Sequence, residues 1–262
     1  MTTKRTPRTT TAATRTAVMG AALAGGLLLT GCSLGPAAGI GGGRHKTVDA
    51  DTTVAEAVTG VDVSDARSGT IEVTSGSGPG VTVRRTVHYR GGAEPVPAQQ
   101  VSGGVLSLTN GDCSRRCSID YRLEVPASAT VRLESGSGDI RVTGVAAADV
   151  RTSSGSVAAD RIAGPLKIRT SSGSVTGRNL AGPSAEARSE SGNVRLAFTK
   201  APASVAVETS SGEARLKVPS AAYGIEASTD SGERQITLPA DPSATARLSA
   251  RTTSGDIRIS AA

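Results

Sequence analysis

Seven times between Val131 and the C-terminus the chain repeats one phrase: alternating apolar and polar residues, a Ser-Gly pair, and a second alternation. The Ser-Gly glycines are Gly138, Gly155, Gly173, Gly192, Gly212, Gly232 and Gly255, spaced 17 to 23 residues apart. A period of this size marks a solenoid, in which each repeat is one supersecondary unit stacked on the next. Seven and five residues before each glycine stand Val131/Leu133, Ala148/Val150, Leu166/Ile168, Ala185/Ala187, Val205/Val207, Ile225/Ala227 and Leu248/Ala250, all apolar. The residues between them are mostly charged, as in Arg132/Glu134, Asp149/Arg151, Lys167/Arg169 and Glu186/Arg188. A period of two sends successive side chains to opposite faces, so each segment is a strand with one buried and one wet face.

Beyond the turn the alternation resumes, with Ile140/Val142, Val175, Val194/Leu196, Leu216 and Ile257/Ile259 inward and Arg141, Arg195, Arg215 and Arg258 outward. Three residues before each turn glycine stands a hydroxyl residue, Ser135, Thr152, Thr170, Ser189, Thr209, Thr229 or Thr252, and serine always immediately precedes it. Stacked at roughly 4.8 Å per rung, these become hydroxyl ladders that bond to turn backbone. Glycine suits the positive φ of such a turn. The serines are therefore read as structural and not catalytic.

The first 31 residues read as a lipoprotein signal. Lys4, Arg5, Arg8 and Arg15 precede an apolar stretch from about Ala17 to Leu29, too short for a spanning helix and flanked like an export signal. It ends in Leu29-Thr30-Gly31-Cys32, which resembles the bacterial lipobox, and this makes Cys32 the expected lipidation site. Several acyl chains there would anchor the protein stably at the extracytoplasmic face of the cell membrane. Removing residues 1–31 removes four cations and no anion, so the formal net charge of +6 falls to about +2. The basic balance is thus largely an export feature and gives no support to nucleic-acid binding.

Residues 32–47 are expected to form a flexible Gly/Ala-rich tether, with Arg44, His45 and Lys46 a small basic cluster at its end, and 48–262 the β domain. Before the repeats, strands are expected at Gly69 to Thr74, Val81 to Tyr89, Val105 to Leu108 and Ser118 to Val125. Cys113 and Cys117 lie between the last two, and an exported chain keeps a disulfide; the pair is expected to pin two adjacent strands. A thiolate metal site would need further ligands, and only His45 and His88 are at hand.

The paired cysteines followed by Ser118-Ile119-Asp120-Tyr121-Arg122-Leu123-Glu124-Val125-Pro126, then Glu134-Ser135-Gly136-Ser137-Gly138-Asp139-Ile140 and the later Ser-Gly phrases, resemble the DUF4097 family over roughly residues 50 to 262. That family comprises bacterial β-strand-repeat proteins, often described as adhesin candidates. The resemblance implies an all-β, parallel β-solenoid of single-stranded β-helix type, often outside the cell membrane. It implies no active site.

The chemistry agrees with a non-enzymatic reading, without cofactor or metal. The aromatics are only Tyr89, Tyr121, Phe198 and Tyr223, few for sugar platforms. The carboxylates Asp139, Glu213, Glu233 and Asp256 fall in separate repeats, without the paired geometry a glycosidase uses. The residue after the turn glycine varies too much for the periodic oxygen cage of a calcium-binding β-roll. A carbohydrate-active enzyme on a β-helix scaffold is the competing class, and an accessory protein of an envelope-stress signalling system a third.

Four residues before the turn glycine, Arg151, Arg169 and Arg188 fall in successive repeats. Like charges roughly 4.8 Å apart repel unless screened, so the three arginines are the candidate polyanion-binding residues, facing an envelope polymer or surface protein. Asp149, Glu186 and Glu190 stand close enough in sequence to neutralise them instead. Finally, the last strand is expected to form the open C-terminal edge, protected only by Arg251, Asp256 and Arg258 or by self-association.

Overall fold

The computed structural model describes residues 45–113 and 116–262, and every helix or strand assigned within them is a strand. The signal segment, Cys32, tether residues 32–44 and Arg44 lie outside the described residues. The N-terminal strands are β1 (His45–Val54), β2 (Gly60–Ser68), β3 (Ile71–Gly76), β4 (Val81–Arg90), β5 (Ala98–Ser102), β6 (Val105–Thr109) and β7 (Cys117–Pro126). The repeats follow as pairs, one strand on each side of a Ser-Gly turn. They begin with β8 (Thr130–Ser137) and β9 (Ile140–Thr143), β10 (Ala147–Ser154) and β11 (Val157–Asp160), and β12 (Leu166–Ser172) and β13 (Val175–Leu180). They continue with β14 (Ser184–Ser191) and β15 (Val194–Phe198), and β16 (Ser204–Ser211) and β17 (Ala214–Val218). The last two pairs are β18 (Gly224–Ser231) with β19 (Arg234–Ile236), and β20 (Arg247–Ser254) with β21 (Ile257–Ala261).

The first strand of each pair enters a ten-stranded sheet and the second an eleven-stranded sheet, so each repeat is a rung with one strand in each sheet. Neighbouring rungs are parallel and in register: Val150 lies opposite Ile168, and Ile168 opposite Ala187. The apolar positions of both sheets point at each other and are buried, from Val131 and Leu133 at one end to Leu248, Ala250, Ile257 and Ile259 near the other. Where β14 offers only Ala185 and Ala187, its partner β15 carries Val194, Leu196 and Phe198, all buried. At the N-terminal end the pattern turns antiparallel, β1 on β4 and β4 on β7 in one sheet and β5 on β6 in the other.

The turns set the stacking distance. All seven repeat glycines have φ between +144° and +155°, which side chains with a Cβ strongly disfavour. A Cβ on Gly155 would lie 2.1 Å from the carbonyl oxygen of Gly138, and one on Gly173 would lie 2.1 Å from that of Gly155. The amide of Gly155 meanwhile donates to the carbonyl of Ser172 at 3.0 Å. Backbone therefore rests directly on backbone at every turn. Gly69 (φ +118°) belongs to the same column, since a Cβ on Gly138 would strike its carbonyl oxygen. The β2–β3 pair is thus an eighth rung. It escapes the sequence pattern because β2 carries a register shift between Val63 and Ala66, around Asp65 at φ 60°. The bulge moves Val61 and Val63 one residue further from their glycine, and one residue inverts a period-two pattern.

The hydroxyl residues three before the glycine point inward. Four of them reach the carbonyl of the adjacent rung's turn glycine: Ser189 to Gly173 at 3.1 Å, Thr209 to Gly192 at 3.0 Å, Thr252 to Gly212 at 3.3 Å and Thr229 to Gly255 at 3.0 Å. The hydroxyls of Ser135, Thr152 and Thr170 are buried without a partner.

Those bonds also trace an inversion. β20 lies between β16 and β18, and β21 between β17 and β19, so the last repeat in sequence is the penultimate rung in space. The expected open edge at the last strand is therefore corrected: β21 pairs on both sides, and the edge belongs to β18 and β19. There Arg234 donates to the carbonyl of Ala227 at 3.2 Å, and Tyr223, fully buried, donates to the carbonyl of Pro219 at 2.9 Å. The Arg234 bond covers one carbonyl of β18, while β19 is exposed along its length, Ile236 included, as a strand at a sheet edge is.

Two local expectations also change. Cys113 and Cys117 form a disulfide with a Cα–Cα distance of 5.3 Å, but it follows β6 of one sheet and opens β7 of the other, so the strands it ties are not sheet neighbours. As in every rung, consecutive strands enter opposite sheets. His45 and Lys46 belong to β1, not to a tether: His45 accepts from Arg90 and Lys46 lies 5.5 Å over the Tyr89 ring.

Two outcomes follow from the ladder and the inversion. Thr209→Val leaves the Gly192 carbonyl without its donor and should cost about 1 kcal/mol, whereas Thr152→Val removes an unpartnered buried hydroxyl and should be neutral or stabilising; urea unfolding of both variants measures the contrast. Deleting residues 247–262 should strip amide-exchange protection from 224–236 as well, while β16 and β17 keep theirs. Retained protection at 224–236 would show that the sixth repeat stacks without the seventh.

Candidate functional site

Outward positions of the ten-stranded sheet form straight columns, because the rungs are parallel and in register. In the column four residues before the turn, the order across β8, β10, β12, β14 and β16 is Glu134, Arg151, Arg169, Arg188, Glu208. The next column alternates in sign, with Asp62, Arg132, Asp149, Lys167 and Glu186 on β2, β8, β10, β12 and β14. The three arginines thus stand side by side, capped by glutamate at each end.

Each of them holds a carboxylate. Arg151 bonds Glu134 at 3.0 Å and Asp149 at 3.4 Å, and Arg169 bonds Glu186 at 3.1 Å. Arg188 reaches Glu186 at 3.0 Å and Glu208 at 3.4 Å. A hydrogen bond from Arg132, then one from Arg151, holds the Glu134 carboxyl below the ordinary glutamate value. Burial pushes Glu186 upward, but Arg169, Lys167 and Arg188 outweigh it and its pKa is also lowered. Over these two columns five cations meet five carboxylates.

Beside the ladder runs a groove of about 680 Å³, lined by Arg151, Arg169, Arg188 and the turn hydroxyls Ser153, Ser171 and Ser210. A second concavity of about 550 Å³ lies over the starts of the same strands, with Arg188 on the ridge between them. Neither is enclosed by loops, and the floor of both is sheet. Arg169 Nε is buried without a hydrogen-bond partner.

The turn carboxylates have other tasks. Asp139 accepts the amide of Ser156 at 3.0 Å and Asp256 that of Glu233 at 3.1 Å, each tying one rung to the next. Asn193 does the same for the amide of Glu213 at 2.8 Å. Glu213 itself sits among three guanidiniums on the outer face of the eleven-stranded sheet: Arg195 at 3.3 Å, Arg215 at 2.8 Å and Arg258 at 2.5 Å. Its side chain is only 18% exposed. Burial raises its pKa, yet the hydrogen bond from Arg215 and the charges of Arg215, Arg258 and Arg195 bring it below the ordinary value. The outward parity of the arginines was visible in sequence. Their convergence was not, because Arg258 reaches this site only through the inverted rung order. Among the described residues no group of three or more His, Cys, Asp or Glu side chains is placed to hold a metal ion.

A carboxylate with a lowered folded-state pKa stabilises the fold above its unfolded value, 4.5 for Glu213, and loses that contribution as pH falls through the folded value. Glu213→Gln should therefore lower the thermal midpoint at pH 7, and the gap from the parent should close in acid below pH 4.5. A gap constant across that range would show that Glu213 acts through packing and not charge.

No curated protein matches the chain. Its fold is similar to that of a candidate adhesin from Bacteroides fragilis, 13% identical, covering 83% of this chain and 97% of that one with a TM-score of 0.52. Weaker likenesses are a candidate adhesin from Parabacteroides distasonis (12% identity, 83% and 97% coverage, TM-score 0.46) and a candidate cell adhesion protein from Clostridium sporogenes (12%, 83% and 100%, 0.41). The Toastrack DUF4097 family model matches residues 96–260, well over half the chain, and the protein belongs to that family.

Proposed function

We propose that this chain is a lipoprotein held by Cys32 on the extracytoplasmic face of the cell membrane, whose β-solenoid domain is a non-enzymatic surface for adhesion or cell-envelope contact. The observation that carries this reading is the groove of about 680 Å³ along the Arg151, Arg169 and Arg188 ladder. Its donors and hydroxyls recur at rung spacing, which suits an extended repeating partner more than a small substrate. The Cys113–Cys117 disulfide supports an oxidising compartment, and the lipobox-like Leu29-Thr30-Gly31-Cys32 supports anchoring. The description of the Bacteroides fragilis relative as an adhesin candidate points the same way.

Because the ladder arginines are already ion-paired, a partner gains by adding hydrogen bonds to seated guanidiniums and not by meeting a large excess of charge. Exposed ion pairs are worth little individually, about 0–1 kcal/mol, so a ligand displaces them at low cost. The full chain, incubated with isolated cell wall, anionic polymers and solubilised envelope proteins at low and high salt, should capture an envelope component. Arg151→Gln/Arg169→Gln/Arg188→Gln should cut that capture at least about tenfold, roughly 1.4 kcal/mol. Undiminished capture by the triple variant would remove the ladder from the binding surface, and salt-sensitive capture lost with it would identify the ladder as a polyanion site.

A further inference from the structure

The surplus of positive charge lies on the opposite sheet. On β15, β17 and β21, Arg195, Arg215 and Arg258 occupy one column in register, and Lys217 stands two residues beyond Arg215 on the same outer face. These four cations meet two carboxylates, Glu213 and Asp256, the latter 3.4 Å from Arg258. Each of the three guanidiniums bonds the same Glu213, so every one has donors left over. The side chains are 39–42% exposed, open enough to be reached from solvent.

We propose that this column is a second binding surface, for a linear polyanion bearing phosphodiester or carboxylate groups. The inference rests on the reading of the domain as an envelope-binding surface, and adds a face that does not use the groove. The column fits such a chain for three reasons. Its three arginines run in single file across the strands, at roughly 4.8 Å per rung, the geometry of a line of charges and not of a lipid plane. Guanidiniums pair bidentately with phosphate and carboxylate oxygens. Glu213 acts as a built-in counter-ion that holds the three side chains erect and in place, and an incoming anion competes with it for the same donors.

The arrangement makes an unusual forecast: removing an acid should strengthen binding. With the full chain and long-chain inorganic polyphosphate as probe, Arg195→Gln/Arg215→Gln/Arg258→Gln should weaken binding at least tenfold and flatten its salt dependence. Glu213→Gln should tighten it severalfold. The Glu213 variant decides the matter should the triple variant fail to fold. Equal or weaker binding by Glu213→Gln overturns the proposal, as does unchanged binding by a folded triple variant. Loss of binding in the groove variant Arg151→Gln/Arg169→Gln/Arg188→Gln alone also overturns it, while leaving the envelope-surface reading intact. Tighter binding to phosphatidylglycerol vesicles than to polyphosphate would assign the column to the membrane surface and overturn the polymer assignment.

Discussion

The contact of turn on turn governs everything else in this molecule. At each Ser-Gly corner the glycine of one rung lies so close to the carbonyl of its neighbour that no side-chain carbon could intervene, as at Gly155 against Gly138. That contact fixes both the spacing and the register of the rungs, because a slip of one residue would place a serine where only glycine fits. Register in turn converts scattered sequence positions into columns. The inward hydroxyls, the arginine ladder and the Glu213 cluster are all consequences of columns being straight.

Straight columns carry an electrostatic penalty, since any residue type recurring at one repeat position meets its own kind one rung away. The molecule resolves this in two ways. On the ten-stranded sheet the three adjacent arginines are bracketed by Glu134 and Glu208 and flanked by Asp149 and Glu186, so charge is balanced over a few ångströms. On the eleven-stranded sheet one well-covered carboxylate, Glu213, serves three arginines. The first solution gives a surface rich in polarised donors with little field. The second leaves a field. Two faces of one coil, built on the same backbone plan, therefore differ in what they attract.

The sequence made legible whatever is decided within one rung. Inward and outward positions, turn glycines and the hydroxyls before them follow from local period and local φ, and residues such as Ile168 and Thr209 lie where that period places them. Two features escaped because they are decided between rungs. The rung of Gly69 was hidden by the bulge at Asp65, which puts its apolar residues out of step with the seven later ones. The order of the last two rungs was hidden because every rung presents the same Ser-Gly interface, so the phrase that defines a repeat does not state which neighbour it accepts. Glu213 went unrecognised for the same reason, since one of its three partners arrives through that order.

The interior position of β20 and β21 has a temporal meaning as well. A chain delivered from its N-terminus presents β18 and β19 before the strands on which they lie, so the sixth repeat meets its native neighbours only when the last strands arrive. The other rungs could be added one at a time, each on a finished platform, as the nearest-neighbour energetics of stacked repeats permit. This one cannot. The arrival of Arg247–Ala261 completes two layers at once, turning an otherwise gradual assembly into one with a cooperative final step that ties the last repeats together.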